Sequence, residues 1–160
     1  LDMMLVGSGS IRVTELGPII LFSNLTECLP YDDAAIALWV TGAQLKKMIL
    51  YMLRDEVWDG AHCEFFQFSE GVRVIYDRQS HILKEFSLYG EPIDDTKIYK
   101  IGLQDYFYRN MKDFFSVSHE EVEPNGKPRR VATSCREVLD EYLSCHQGLD
   151  HRVSDRLQIL

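Results

Sequence analysis

The residues whose types and spacing could do chemistry begin at Gly7-Ser8-Gly9-Ser10-Ile11-Arg12. Glycine tolerates positive φ and lets another backbone or a ligand come close. Alternating Gly and Ser leave N–H groups and hydroxyls uncovered, and Arg12 sets one fixed guanidinium beside them. Small residues, free donors and one cation suit an anionic or oxygen-rich ligand. The same hexapeptide also reads as a tight turn with a surface arginine. Four cysteines, Cys28, Cys63, Cys135 and Cys145, show no C-x-x-C spacing. Cys135, Cys145, His146 and His151 fit no common zinc module, and Cys135 reads more simply as a buried thiol on a helix stripe. Lys127, Arg129 and Arg130 end a charged stretch from 120 to 130 that reads as a solvated connection rather than a phosphate patch. In Asp105-Tyr106-Phe107-Tyr108-Arg109-Asn110, three aromatics in a row match neither the helix nor the strand period. At least one of those rings must face away from the core.

The elements that must position these residues follow from local pattern. Met3-Met4-Leu5-Val6 reads as a buried strand leading into the glycine loop. Gly17-Pro18 marks a turn, and residues 19–29 suit a short strand and then a helix, capped by Ser23 or Asn24 and stopped by Pro30. Tyr31-Asp32-Asp33 is turn-like, and residues 35–40 read as a strand. Thr41-Gly42-Ala43-Gln44 has capping-box spacing, and Leu45, Met48, Ile49, Met52 and Leu53 behind it form one apolar helix face. Trp58-Asp59-Gly60 breaks that helix, and residues 64–68 suit a strand or a packed loop. Residues 72–76 and 82–88 read as a hairpin, followed by a connection through Gly90-Glu91-Pro92. Residues 97–103 predict a strand with Tyr99, Ile101 and Leu103 on one face. Ser134 and Glu137 suggest a second capping box before the stripe Cys135, Val138, Leu139, Tyr142 and Leu143, and residues 156–160 a closing strand. Helices and hairpin strands mix without a regular βαβ alternation, which is the α+β class.

Bulk properties narrow the function. The 160 residues suit one domain with its own core, and 46% hydrophobic with 26% charged residues describe a globular chain. A net charge of −8 argues against binding a nucleic-acid backbone, which requires a basic face. No apolar run approaches the roughly twenty residues of a membrane span, and with Asp2 interrupting the N-terminal apolar run and no basic stretch before it, these residues do not read as a signal peptide. The chain begins inside a strand, which reads as the N-terminally truncated remainder, residues 1–160, of a longer protein.

The order of these motifs resembles the C-terminal domain of the 5'-nucleotidase family, the metal-dependent nucleotide phosphohydrolases. The resemblance runs from the Gly7–Arg12 loop through Gly17-Pro18-Ile19, Leu29-Pro30-Tyr31 and Thr41-Gly42-Ala43-Gln44-Leu45. It continues through Gln67-Phe68-Ser69-Glu70-Gly71, Tyr76-Asp77 and Tyr99-Lys100-Ile101 to Tyr106. It implies a nucleotide-binding domain with mixed sheets and flanking helices. The partner would be the chain's own N-terminal metallophosphatase domain, which carries two divalent metals and the catalytic Asp, His and Asn motifs. Those motifs are absent from this sequence, so no catalytic residue and no cofactor is expected here, and hydrolysis needs the missing ligands. The resemblance assigns nucleotide contact to Arg12 with Gly9 and Ser10, and base stacking to Tyr31 and Tyr106. Asp113 is the candidate for the family's ribose-holding Asp, although it lies one residue further along and the glycines around that Asp are replaced. Gly7 stands where the family has a loop asparagine. These departures put another phosphate ester, or a structural cap that has lost its ligand, beside the nucleotide reading. The resemblance implies an extracytoplasmic or surface-attached protein, with a cytoplasmic one open.

Overall fold

Alternating buried and half-buried positions over Met3–Gly7 form the first strand, β1. In the computed structural model, which describes residues 1–59, 64–149 and 155–160, β1 lies inside a five-stranded sheet. That sheet has the order β3-β1-β7-β2-β8, with β2 spanning Ala35–Thr41, β3 Phe66–Phe68, β7 Ile98–Gln104 and β8 Arg129–Ala132. β1 runs parallel to β7, with Leu5 opposite Leu103, and the other pairings are antiparallel. A second sheet has the order β6-β5-β4-β9, built on the hairpin of β4 (Val72–Asp77) and β5 (Ile82–Leu88). Its edges are β6 (Glu91–Pro92) and β9 (Leu157–Ile159), the latter parallel to β4.

Thr41 caps helix α2 (Gly42–Met52) reciprocally: its Oγ1 accepts the Gln44 N–H while Gln44 Oε1 accepts the Thr41 N–H. The stripe behind it is buried, with Leu45, Met48 and Ile49 at zero exposure. Those side chains join Leu5, Leu38, Ile101 and Leu103 of the first sheet and Val74 and Tyr76 of the second in one core. Each such burial contributes about 1.5–3 kcal/mol. Mixed sheets with flanking helices are thus the observed α+β architecture.

Several local expectations change. Residues 19–21 form no strand; helix α1 begins at Phe22 and ends at Cys28, and Asn24 acts from inside it, accepting the Leu21 N–H at 2.8 Å. The aromatic run becomes a short helix, α3 (Asp105–Arg109), followed by α4 (Met111–Phe115). The helical turn buries Phe107 and leaves Tyr106 exposed. The charged stretch expected to be a solvated connection is instead organised. It contains helix α5 (His119–Val122), a 3-10 turn over Glu123–Asn125 and strand β8, because Arg129 and Arg130 pair along β2. Helix α6 (Cys135–Cys145) keeps only the serine half of its box: Ser134 Oγ accepts the Glu137 N–H. Its stripe is not core, with Val138 and Tyr142 exposed and Cys135 half-buried rather than buried. Gly60, Cys63 and His151 lie outside the described residues.

Candidate functional site

β1 delivers the glycine loop, and the loop's backbone differs from its sequence reading. Residues 8–10 form a single 3-10 turn, and Gly7 has φ −63°, ψ 129°, so Gly7 is not needed for positive φ. It is needed for space, because a methyl group there would overlap Cζ and Cε2 of Phe107. The family's asparagine side chain has no room at this position while Phe107 fills it.

The expected row of free donors is already occupied. The Gly7 N–H donates to Gln104 Oε1 at 3.0 Å, and the Ser8 N–H to the Phe65 carbonyl at 2.7 Å. The Gly9 N–H donates to Glu64 Oε1 at 2.5 Å, and the Arg12 N–H to the Cys28 carbonyl at 2.8 Å. Ser10 is buried and its hydroxyl is paired with the Gln104 amide, accepting from Nε2 at 3.1 Å. Gln104, only 1% exposed at the end of β7, therefore stitches the loop to the sheet. The loop is built as a rigid mount for Arg12 rather than as an open anion nest.

Arg12, Tyr31 and Tyr106 line one cavity of about 470 Å³, together with Gly9, Ser10, Asp33, Glu64 and Phe107. The two tyrosines stand at its mouth, 58% and 53% exposed, while Phe107 beneath is 3% exposed. The Arg12 guanidinium lies over the Tyr31 ring at 5.5 Å, a cation–π contact that holds both at the rim. Tyr106 rests edge-on against Phe107 at 5.2 Å and beside Phe114 at 5.7 Å, so its inner side is backed by core. Asp113 is not part of the cavity. It sits exposed on α4, its N–H donating to the Asn110 carbonyl.

Two cavity residues were missed from sequence, Asp33 and Glu64. Asp33 was readable only as a turn residue two places after Tyr31, and Glu64 carried no local signal. Desolvation pushes the Asp33 carboxyl above the usual range, neighbouring Asp105 pushes it further, and the Tyr106 N–H that it accepts pulls it back. Asp105 in turn pairs with Arg109. A wider groove along α2 presents Lys46 and Lys47, but these pair with Asp95 and Glu121. Among the described residues, no group of three or more His, Cys, Asp or Glu is placed to hold a metal ion. No described helix is long and apolar enough to cross a membrane.

The glycine loop, one arginine and two exposed rings surround one cavity on an α+β scaffold. Residues 2–119 match the family described as 5'-nucleotidase, C-terminal domain, and the chain belongs to that family. Similar solved structures include a 5'-nucleotidase precursor from Thermus thermophilus, at 20% identity and TM-score 0.80, covering 99% of this chain and 31% of that one. They also include the NAD nucleotidase of Haemophilus influenzae, at 17% identity and TM-score 0.82, covering 99% and 30%. A third is the sulfate thiohydrolase SoxB of Thermus thermophilus in complex with glycerol, at 16% identity and TM-score 0.72, covering 100% and 29%. These likenesses show the fold, and the chain spans less than a third of each structure's length. Compared with curated protein sequences, the chain finds no match.

Proposed function

We propose that this chain is the substrate-binding domain of a 5'-nucleotidase-type phosphohydrolase, and that it holds a nucleotide by its base between Tyr31 and Tyr106. The observation that carries the reading is the convergence of Arg12, Tyr31 and Tyr106 on one cavity from three separate elements. Stacking on such rings is worth about 1–3 kcal/mol per base and tolerates base identity. Arg12, at the mouth, meets the phosphate end. The two-metal chemistry belongs to a separate metallophosphatase domain, and this chain supplies grip and orientation. The family match and the printed names of the similar structures, two nucleotidases and a sulfate thiohydrolase, support a hydrolase as the whole protein.

Calorimetric titration of the chain with nucleoside monophosphates tests this. Tyr31→Ala and Tyr106→Ala are each expected to weaken binding by about 5- to 150-fold, the equivalent of one stacking partner. Arg12→Ala should weaken a nucleotide more than its nucleoside. If the unaltered chain binds none of them at millimolar concentration, the domain is a structural cap and the nucleotide reading falls.

A further inference from the structure

We propose that Glu64 reads the base: its carboxylate is a specificity-determining acceptor on the cavity floor that favours guanine over hypoxanthine, adenine and uracil. The inference rests on the nucleotide-binding reading above and adds to it which base the cavity prefers.

Placement comes first. Glu64 lies against the glycine loop because neither Gly7 nor Gly9 has a side chain to keep it away. A methyl group on Gly9 would sit 2.7 Å from Glu64 Oε2 and 3.1 Å from Oε1. The Gly9 N–H donates to Oε1 and fixes how the carboxylate is turned, while Oε2 takes no hydrogen bond among the described residues. Depth comes second. Tyr31 and Tyr106 are more than half exposed, whereas Ser10 and Phe107, which line the same cavity, are 7% and 3% exposed, and Glu64 is half-buried. A flat ring held between the two tyrosines presents one edge downward, toward the carboxylate.

The chemistry of that edge then decides. A carboxylate only accepts hydrogen bonds. Around Glu64, Ser10 Oγ and the nearby Gly7 N–H are paired with Gln104 and the Gly9 N–H with Glu64 itself, while the Asp33 carboxylate in the lining adds a further acceptor. The floor thus offers acceptors and no free donor among these groups. Guanine places N1–H and an N2–H side by side, which gives two parallel charge-assisted bonds to one carboxylate, the same fork that arginine makes. Hypoxanthine keeps N1–H and lacks the amino group. Adenine sets its amino group beside a ring nitrogen acceptor, whose lone pair would face the second oxygen. Uracil sets one N–H between two carbonyl oxygens. Charge supports the same orientation. Among the described residues that line the cavity, Asp33 and Glu64 face one cation, Arg12 at the mouth, so a phosphate is repelled from the carboxylates and held by Arg12 outside.

The test is calorimetric titration of the chain with GMP, IMP, AMP and UMP, which share the phosphate and differ in the base. GMP is expected to bind at least about tenfold more tightly than IMP, the loss of one charge-assisted hydrogen bond, with AMP and UMP weaker still. Glu64→Gln keeps an oxygen for the Gly9 N–H and replaces the other with an amide. It should lower GMP affinity by about 10- to 100-fold and leave AMP unchanged or improved, because an amide suits adenine. Glu64→Asp, which withdraws the carboxylate by one methylene, should also lower the GMP-to-AMP ratio, and it serves if the glutamine variant fails to melt cooperatively. Equal binding of GMP and AMP by the parent chain, or a ratio that neither variant moves, overturns the role of Glu64 and leaves the nucleotide reading standing. If none of the four binds, that reading falls and this one with it.

Discussion

Gly7 is the position where a one-carbon change should tell most about how the site is assembled. A Cβ there would overlap Cζ and Cε2 of Phe107 and touch Glu64 Oε1 at 3.0 Å. Phe107 cannot yield easily, since its ring meets Phe66 at 4.9 Å, Phe114 at 4.9 Å and Tyr106 at 5.2 Å. The loop cannot yield easily either, because the Gly7 N–H is bonded to buried Gln104. Forcing a methyl into a packed core costs about 1–3 kcal/mol, which for a domain of this size lowers the melting temperature by roughly 2–12 °C. The mechanism is a clash with two named atoms, so it predicts a coupling. Phe107→Leu removes both atoms and alone costs on the order of 1–2 kcal/mol. In that background Gly7→Ala should cost at least about 1 kcal/mol less than in the parent. The assay is a double-mutant cycle by urea denaturation, with thermal melts alongside. The argument is refuted if Gly7→Ala costs the same in both backgrounds, or if the single variant melts with the parent. Nucleotide affinity should fall with the clash and recover in part in the double variant, because Phe107 backs Tyr106.

Acid stability depends on carboxylates that the fold holds ionised. Glu121 is pulled below its ordinary value of 4.5, first by the Ser118 N–H and then by Lys47, Asp94 below 3.8 by the Thr96 hydroxyl, and Asp77 below 3.8 by the Ser80 N–H. Between the folded and unfolded values the unfolded chain binds more protons, so the stability these groups contribute is complete above pH 4.5 and lost on further acidification. Asp33, raised by burial, works in the opposite sense, contributing fully below 3.8 and losing that contribution as pH rises through its folded value. Melting temperature is therefore expected to drop below about pH 4.5, with Glu121→Gln flattening the decline; a parallel decline in that variant would remove Glu121 from the account. Thiol reactivity should follow burial. The Cys135 thiol is pushed up to about 11 by desolvation, with Asp33 and Asp32 adding to it, and burial also raises Cys28, whereas Cys145 is exposed. Iodoacetamide at pH 8 should label Cys145 before Cys135 and Cys28, read by peptide mass spectrometry, and equal rates would contradict that order.

Much of the scaffold was legible because its signals are local. A hydroxyl at Thr41 and an amide three residues later close a helix start in one turn of backbone, and apolar residues at Leu45, Met48, Ile49 and Met52 must share a face. The 72–88 hairpin is equally short-range, and two opposed strands meet wherever alternation and a turn coincide. The reading weakened where tertiary partners override periodicity. The stripe on α6 is as regular as that on α2, yet it has no fully buried residue, because what packs on a helix is not written in the helix. Asp113 was a candidate only through the resemblance, one residue beyond the family's spacing, and it sits exposed on α4 outside the cavity lining.

By itself, then, the sequence determined the α+β class, the Thr41 cap and the main strands, and the family resemblance it carries named three of the side chains that line the cavity. It could not determine what the glycine loop does. The groups that consume its N–H donors come from Glu64, 55 residues from Gly9, and from Gln104, 97 residues from Gly7. Such partners are set by which strands pair and in what register, and no short window carries that information. Only the folded chain decides that the loop's N–H donors are consumed and that it is a closed mount for Arg12.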